Sequence, residues 1–256
     1  MRVVLFGLLR FRVDARGRDL LGPLASRGGY LLVGAVHRGW MDPLLALHAL
    51  PLAPRPWFLG SGASAFDRQW KEILLRRLGG ILPVWRGGVG IDQHLASARA
   101  VLSAGGVFVL FPEGGIVGPI GELSSFRMGA ALIALRTAVP IVPFVMVGSE
   151  ELYLGRRMAT RLLPPTSVAT LLGEGPDWTP PDPGSRAELD MARRLTARFE
   201  EVLGPEVRAL APAVVDPPDR PRRLRSLTWL LVSRRGPGPG TEQGAAGSDR
   251  GEAAPP

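Results

Sequence analysis

Short, uninterrupted apolar runs recur along the first part of the chain. A strand that is buried on both faces has such a continuous run, whereas a strand with one exposed face alternates between apolar and polar residues. The pattern therefore predicts buried strands at Tyr30–Val36, Trp57–Leu59, Val107–Phe111 and Ile141–Val147.

Helical periodicity separates these runs. A first helix is predicted to start at Asp42, with the carboxylate as its cap and Pro43 at the first helical position, and to end before Pro51. A second helix is predicted from Asp92 to the Gly105-Gly106 pair, because glycine is the residue that most readily ends a helix. Its predicted buried face comprises Leu95, Ala98, Val101 and Leu102.

Two more helices are predicted further along the chain. Ser124 or Ser125 is the expected cap of the stretch "FRMGAALIALRTA". After a loop rich in proline and glycine, Arg186–Leu203 is amphipathic, with a predicted apolar stripe of Leu189, Ala192, Leu195, Phe199 and Val202. Apolar strands that alternate with helices predict an α/β fold, with a mostly parallel central sheet flanked by helices.

The formal net charge of the 256-residue chain is +8, and nearly all of its basic residues are arginine, since Lys71 is the only lysine. A basic balance favours anionic partners such as phosphorylated small molecules and anionic membranes. The arginines are not interleaved with aromatic residues in the manner of nucleic-acid-binding motifs. Nucleic acid is therefore not an expected partner.

Basic residues are concentrated in Arg220–Arg235, "RPRRLRSLTWLLVSRR", which has six arginines, Trp229 and no carboxylate. This composition suits the surface of an anionic membrane, and the alternative is a final helix docked on the core with solvated arginines. Composition divides the chain into a folded domain at 1–212, a basic amphipathic segment at 213–235 and a disordered tail at 236–256.

Composition also excludes several kinds of chemistry. The chain has no cysteine, which excludes disulfides, thiolate metal ligands and a cysteine nucleophile. Its three histidines, His37, His48 and His94, are too few for a histidine-rich cluster, so no metal is expected. The apolar run in "MRVVLFGLLRFRV" is too short to span a membrane, and it lacks a small-residue cleavage site. We therefore expect a cytoplasmic location.

His37 follows the first predicted strand and Asp42 begins the next helix, within "VHRGWMD". Sheets of α/β proteins bind ligands at the carboxyl ends of their parallel strands. A tight turn can bring the carboxylate to the imidazole, where it would fix the tautomer and leave the other ring nitrogen to accept a proton from a substrate hydroxyl. Taken alone, the pair is also compatible with a helix cap beside an ordinary loop histidine.

Three other stretches are candidates for a binding site. In "FVLFPEGG", Glu113 follows a buried strand, and Gly114 and Gly115 would let the backbone approach a ligand closely. In "GGILPVWRGG", Arg86 ends an apolar run, and its guanidinium suits a phosphate or carboxylate. In "VPIVPFVMVG", Pro143 interrupts a strand of the core or of an apolar pocket wall. Each stretch alone is also compatible with a turn, a solvated arginine or core packing.

Together and in this order, the four stretches resemble the glycerolipid acyltransferase family, which includes the 1-acylglycerol-3-phosphate acyltransferases. The family's motifs are a His-x4-Asp block, a block that ends in arginine, a Phe-Pro-Glu-Gly block and a Val-Pro-Ile-Val-Pro block. The resemblance runs from about Phe11 to Val147, and more loosely to Leu203. It implies transfer of an acyl group from acyl-CoA or acyl carrier protein to a lipid hydroxyl, with no cofactor beyond this co-substrate. It also implies an enzyme at the periphery of the cytoplasmic membrane.

The resemblance implies roles for individual residues. His37 would be the general base, and Asp42 would orient it and stabilise its charged form. Pro143 would belong to the wall near the acyl group. Substrate binding would fall to Arg86, Glu113, Gly114, Gly115 and Arg127, with Arg86 near the phosphate or other polar head of the acceptor.

One departure from the family concerns the acceptor. In phosphatidate-forming members the Phe-Pro-Glu-Gly block is followed by threonine or serine and then arginine, whereas Gly115 and Ile116 stand in those places here. Lysophosphatidate, a glycolipid or another lyso-lipid thus remain open as acceptors. The alternative functions are a thioester hydrolase that uses the same histidine on water, and a non-catalytic basic lipid-binding module.

Overall fold

The computed structural model describes residues 7, 9–39, 41–61, 73, 77, 80–84, 91–114, 122–175, 177–217, 219–226 and 228. Within these residues the strands are β1 (Arg12–Arg16), β2 (Tyr30–Ala35), β3 (Pro56–Ser61), β4 (Gly80–Val84), β5 (Val107–Leu110), β6 (Ile141–Val147) and β7 (Arg157–Leu162). Among the described residues, the α-helices with defined bounds are α1 (Leu24–Arg27), α2 (Asp42–Ala49), α3 (Ile91–Ser103), α4 (Gly129–Thr137), α5 (Val168–Leu172) and α6 (Arg186–Leu210). Short 3-10 helices lie at Arg18–Leu21 and Ala211–Val214.

The described strands form one seven-stranded sheet in the order β1-β7-β6-β2-β5-β3-β4. Neighbouring strands are parallel except β6 and β7, which are antiparallel. The predicted α/β class with a mostly parallel sheet is confirmed. Strands β2, β5 and β6 are buried along their whole length, which is why each reads as a continuous apolar run. The edge strand β1 is largely exposed and carries no such run.

A hydrophobic core covers each face of the sheet. On one face, Leu31 and Val33 of β2 pack with apolar residues of α3, α4 and α6. On the other face, Tyr30 and Leu32 pack with apolar residues of α2. Successive residues of a strand point to opposite faces, so β2 contributes to both cores.

The predicted start of the helix after the Phe-Pro-Glu-Gly stretch is wrong. Neither Ser124 nor Ser125 caps it, because α4 begins at Gly129 and residues 122–127 are not helical. The backbone groups of this segment find partners elsewhere. Phe126 N–H donates to Glu200 Oε1 of α6 at 2.6 Å, and Arg127 N–H donates to the carbonyl of Pro112, which follows β5. These tertiary hydrogen bonds replace those of a first helical turn.

Helix α6 also differs from its prediction. It continues to Leu210 instead of ending at Leu203, because Val207 and Leu210 remain buried against the core beyond Pro205. The predicted apolar stripe is wrong at Leu189, which is 38% exposed. The neighbouring residue, Glu188, is buried instead and forms an ion pair with Arg136. Apolar periodicity cannot predict a buried, paired glutamate.

The described part of the basic segment lies against the loop between β6 and β7. Leu154 N–H donates to the Arg223 carbonyl at 2.9 Å, and Glu151 forms ion pairs with two arginines of the segment. These residues thus dock on the folded domain. The rest of the segment and the predicted disordered tail lie outside the described residues. No helix in the described part of the chain is long and apolar enough to cross a membrane.

Candidate active site

The site lies where the chain leaves two neighbouring parallel strands in opposite directions. Val33 of β2 pairs with Leu110 of β5 near the carboxyl ends of both strands. After β2 the chain enters α2, which covers one face of the sheet, and after β5 it leads to α4 on the other face. This divergence opens a crevice of the kind in which α/β proteins bind ligands. His37, which follows β2, and Glu113, which follows β5, therefore lie at the same carboxyl end of the central strands.

His37 and Asp42 form a hydrogen-bonded pair at this edge. The distance from His37 Nδ1 to Asp42 Oδ2 is 2.7 Å. The same oxygen accepts the backbone N–H groups of Arg38 at 2.6 Å and Gly39 at 2.7 Å. The Asp42 side chain is fully buried, whereas 20% of the His37 side chain is exposed. A carboxylate held in this way favours hydrogen on Nδ1 and leaves Nε2 as the acceptor.

Phe111 fixes the plane of the imidazole. Its ring stacks on that of His37, with centroids 4.6 Å apart and an angle of 12° between the planes. Phe111 in turn lies over Gly34, since a Cβ built at Gly34 would be 2.7 Å from a ring carbon of Phe111. The absence of a side chain at position 34 is therefore what admits the phenyl ring next to the base.

Glu113 binds the backbone on either side of the base. Its Oε1 accepts N–H groups from Val36 at 2.5 Å and from His37 at 3.2 Å. Its Oε2 accepts from Arg38 Nη1 at 2.6 Å, and both partners of this ion pair are buried. Arg38 Nη2 also donates to the carbonyl of Glu122. Glu113 therefore links the end of β5 to the loop that follows β2.

Arg127 lies along the turn that contains Gly114. Gly114 has a φ of +68°, and a Cβ there would be 2.6 Å from Arg127 Cδ. The positive φ favours glycine at this position. Arg127 N–H donates to the Pro112 carbonyl at 2.8 Å, while its side chain is exposed. The predicted role of Gly114 and Arg127 in substrate binding stays a prediction.

The remaining predicted site residues are not brought together by the described structure. Pro143 is buried within β6 and pairs with Val33, so it lies in the sheet and not at its edge. Arg86 and Gly115 lie outside the described residues, and so does Ile116. Among the described residues no three histidine, aspartate or glutamate side chains are grouped so that they could hold a metal ion.

Sequence reasoning did not identify Arg38, Phe111 or Gly34 as parts of the site. A glycine within a continuous apolar strand often marks the close approach of another group, and Gly34 carried that signal. Nothing in the sequence distinguishes Arg38 from the other arginines. Its burial against Glu113 follows only from the pairing of β2 with β5.

Comparisons with known proteins agree with this fold. The family model described as Acyltransferase matches residues 16–147, just over half of the chain. The chain therefore belongs to the acyltransferase family, as its four motifs predict. Among solved structures it is similar to the crystal structure of the 1-acyl-sn-glycerophosphate (LPA) acyltransferase PlsC from Thermotoga maritima. The TM-score is 0.59 at 20% identity, covering 84% of this chain and 78% of that one. No curated protein gives a significant match.

Proposed function

We propose that the protein transfers a fatty acyl group from acyl-CoA or acyl carrier protein to the hydroxyl of a lyso-phospholipid or related glycerolipid. The observation that supports this function best is the 2.7 Å contact between His37 and the fully buried Asp42 in the crevice beyond β2 and β5. The similarity to a 1-acyl-sn-glycerophosphate acyltransferase supports a glycerolipid acceptor.

In the proposed reaction His37 acts as general base. Its Nε2 takes the proton of the acceptor hydroxyl while the oxygen attacks the thioester carbonyl, so that a C–O bond forms and the C–S bond then breaks. The imidazolium returns the proton to the departing thiolate, and the products are an ester and a free thiol. Asp42 stabilises the imidazolium and holds its orientation, and a base placed in this way contributes on the order of 10²–10⁴ in rate.

The acceptor is proposed to bind beside the turn at Gly114. Arg127 offers an exposed guanidinium there, and this group forms paired, charge-assisted hydrogen bonds with phosphate. Its position supports an acceptor with an anionic head group. The proposed contribution of Arg86 and Gly115 to the same binding site and that of Pro143 to the acyl-binding wall remain predictions.

The protein is proposed to act in the cytoplasm at the surface of the membrane. Ser149, which follows β6, lies close to Gly39 in the loop that carries His37. Its carbonyl oxygen would be 3.4 Å from a Cβ built at Gly39. The basic segment docks on the loop that begins there, through Glu151 and Leu154. The arginines of the basic segment thus lie at the same carboxyl end of the central strands as His37. This arrangement supports an orientation in which that edge faces anionic lipid.

A thiol-release assay with a panel of acceptors tests the proposed reaction. We expect free thiol to appear from acyl-CoA or acyl carrier protein only when a lyso-lipid acceptor is present, and to be lost in His37→Ala. Release that does not depend on an acceptor would identify a thioester hydrolase. If neither donor releases thiol with any acceptor, while lipid binding persists in His37→Ala, the non-catalytic module becomes the better explanation.

A further inference from the structure

We propose that Glu113 is a positioning residue for the base, and that it acts by holding Val36 in a left-handed backbone conformation. This inference rests on the proposed role of His37. It differs from the acceptor contact that the family resemblance implies for Glu113. Three features support it: the conformation of Val36, the partners of both Glu113 oxygens and the burial of Arg38.

Val36 has an unfavourable conformation at the point where the chain leaves β2. Its φ is +68°, whereas β-branched residues very rarely adopt positive values because Cβ crowds the backbone. The side chain is also fully buried, so packing does not leave it free to rearrange. This turn immediately precedes His37 and sets the direction from which the imidazole enters the crevice. Strain of this kind persists only where neighbouring groups impose it.

Glu113 is the group that imposes the turn. Its Oε1 lies 2.5 Å from Val36 N and 3.2 Å from His37 N, so a single carboxylate oxygen binds both N–H groups of the turn. Its Oε2 is occupied by Arg38. The Glu113 side chain has no exposed surface, and an acceptor would have to displace a protein partner to reach it. The arrangement fits a carboxylate that shapes the protein better than one that contacts the acceptor.

Arg38 holds the carboxylate in place. An unpaired buried carboxylate is costly, and the 2.6 Å contact with a guanidinium that is itself only 4% exposed compensates that cost. The same guanidinium reaches the carbonyl of Glu122, at the start of the segment that carries Arg127. The loop after β2, which carries His37, and the segment that carries Arg127 are thus joined through the buried ion pair between Arg38 and Glu113.

Acyl-transfer kinetics of Glu113 and Val36 variants test the inference. We expect Glu113→Ala to lower kcat on the order of 100-fold with little change in the acceptor KM, because a misplaced base loses rate and not binding. Glu113→Gln, which keeps one acceptor oxygen, should have an intermediate kcat and serves if the alanine variant does not fold. A variant that raises the acceptor KM and leaves kcat unchanged would overturn the inference.

Val36→Gly and Val36→Ala form a matched pair, since both remove the isopropyl group but only glycine adopts positive φ freely. In the Glu113→Ala or Glu113→Gln background, Val36→Gly should have a kcat about 5- to 30-fold higher than Val36→Ala, the ratio that corresponds to the cost of a left-handed residue. With Glu113 intact, the two should have similar kcat. An equal kcat in the glutamate-substituted backgrounds would contradict the proposed role.

Amide hydrogen exchange separates this inference from the proposed function. The Val36 and His37 amides should exchange faster in Glu113→Gln than in the wild type, whether or not the protein transfers acyl groups. Glu188→Gln is the matched control, because it removes a comparably buried carboxylate with an arginine partner far from the crevice. It should leave kcat unchanged and should change the protection of these two amides no more than that of other core amides, since a loss of global stability affects all of them. Unaltered exchange of these amides in Glu113→Gln would refute the positioning role even in an active enzyme.

Discussion

The imidazole of His37 lies flat against the phenyl ring of Phe111, with 4.6 Å between the ring centroids. The two residues follow neighbouring strands, so the contact joins the ends of β2 and β5. Asp42 holds the edge of the same imidazole through Nδ1. One contact at the face and one at the edge together leave the proposed base a single orientation.

Removal of the aromatic face should therefore reduce turnover without reducing binding. We expect Phe111→Leu to lower kcat about tenfold, within the range attributed to correct placement of a catalytic group, and Phe111→Tyr to retain most of the activity. Gly34→Ala should act in the same direction, because its Cβ would displace the phenyl ring. Phe108→Leu is the control, since it alters a fully buried ring within β5 and should affect thermal stability alone. Equal kcat values for Phe111→Leu and Phe108→Leu would show that the stack has no catalytic effect.

Asp42 should contribute both to the reaction and to the loop around it. Asp42→Asn replaces the acceptor of the Nδ1 hydrogen with an amide that favours the wrong tautomer, and we expect kcat to fall on the order of 10²–10⁴. The measurement is initial-rate kinetics at saturating donor and acceptor, with a melting curve to verify folding. Asp190→Asn, on the exposed side of α6, should behave as the wild type. An Asp42→Asn enzyme with the wild-type kcat would contradict the proposed pair.

Arg127 should distinguish anionic from neutral acceptors. We expect Arg127→Gln to raise the KM for a lyso-phospholipid about tenfold or more, the usual effect of losing a hydrogen bond to a charged group, and to leave kcat close to that of the wild type. The KM for a neutral monoacylglycerol should not change. Arg193→Gln, which removes a guanidinium from α6, is the charge-matched control. If both acceptors are affected equally, Arg127 does not bind the anionic head.

Glu188 should make stability depend on pH. It pairs with Arg136 at 2.6 Å and accepts the Gly184 N–H at the start of α6, and its side chain is 1% exposed. The hydrogen bond from Arg136 is the largest cause that lowers the pKa of Glu188 in the folded state. The stabilisation is then fully present above the pKa of glutamate in the unfolded chain and is lost as the pH falls through the lower pKa of the folded state.

Urea unfolding of Glu188→Gln tests this linkage. We expect the free energy of unfolding to be lower than that of the wild type by about 1–3 kcal/mol at pH 7, as for a lost hydrogen bond to a charged group. The difference should shrink once the pH falls below the ordinary glutamate value of about 4.3. Glu201→Gln, which removes an exposed carboxylate of the same helix, should show a much smaller change at either pH. A pH-independent difference for Glu188→Gln would exclude the ion pair as its source.

The basic segment should contribute to membrane binding through its exposed arginines. We expect the combined Arg222→Gln, Arg223→Gln and Arg225→Gln variant to co-sediment less with vesicles that contain phosphatidylglycerol, since each arginine near an anionic surface contributes about 1 kcal/mol. A triple variant of α6, with Arg193, Arg194 and Arg198 changed to glutamine, matches it in charge. Equal loss of binding in both variants would indicate a general charge effect, and no loss in either would contradict a membrane role for the segment.

The central strands were predictable because a strand that is buried on both faces consists of a continuous run of apolar residues. Strand β6 has the predicted bounds, and β2 and β5 each differ by one residue. The edge strand β1 was not predicted, since "RVDAR" has no apolar run, and its alternation rests on only two small apolar residues, Val13 and Ala15. Its pairing with β7 depends on backbone hydrogen bonds that any sequence can form. The non-helical segment before α4 escaped prediction because its partners lie on distant elements.

The local pair of His37 and Asp42 was predictable from the sequence, whereas the long-range contacts of Glu113 were not. Local spacing placed His37 and Asp42 within one turn, and short motifs of this kind carry their own geometry. The contacts of Glu113 with Val36 and Arg38 join positions that are far apart in sequence. They depend on β2 and β5 being neighbours, which periodicity does not determine. The resemblance to a family suggested where Glu113 belongs, but not which atoms it touches.

The divergence of the chain after β2 and β5 places the parts of the site on two loops that are joined by the Glu113–Arg38 ion pair. The loop on one face carries the proposed base, and the loop on the other carries Gly114 and Arg127. Insertions or exchanges in the second loop can therefore change which molecule is acylated while the geometry of His37 and Asp42 is kept, provided that Glu113 stays in place. New acceptor preferences within this architecture are accordingly expected to arise through changes at positions 115–127, with the loop after β2 unaltered.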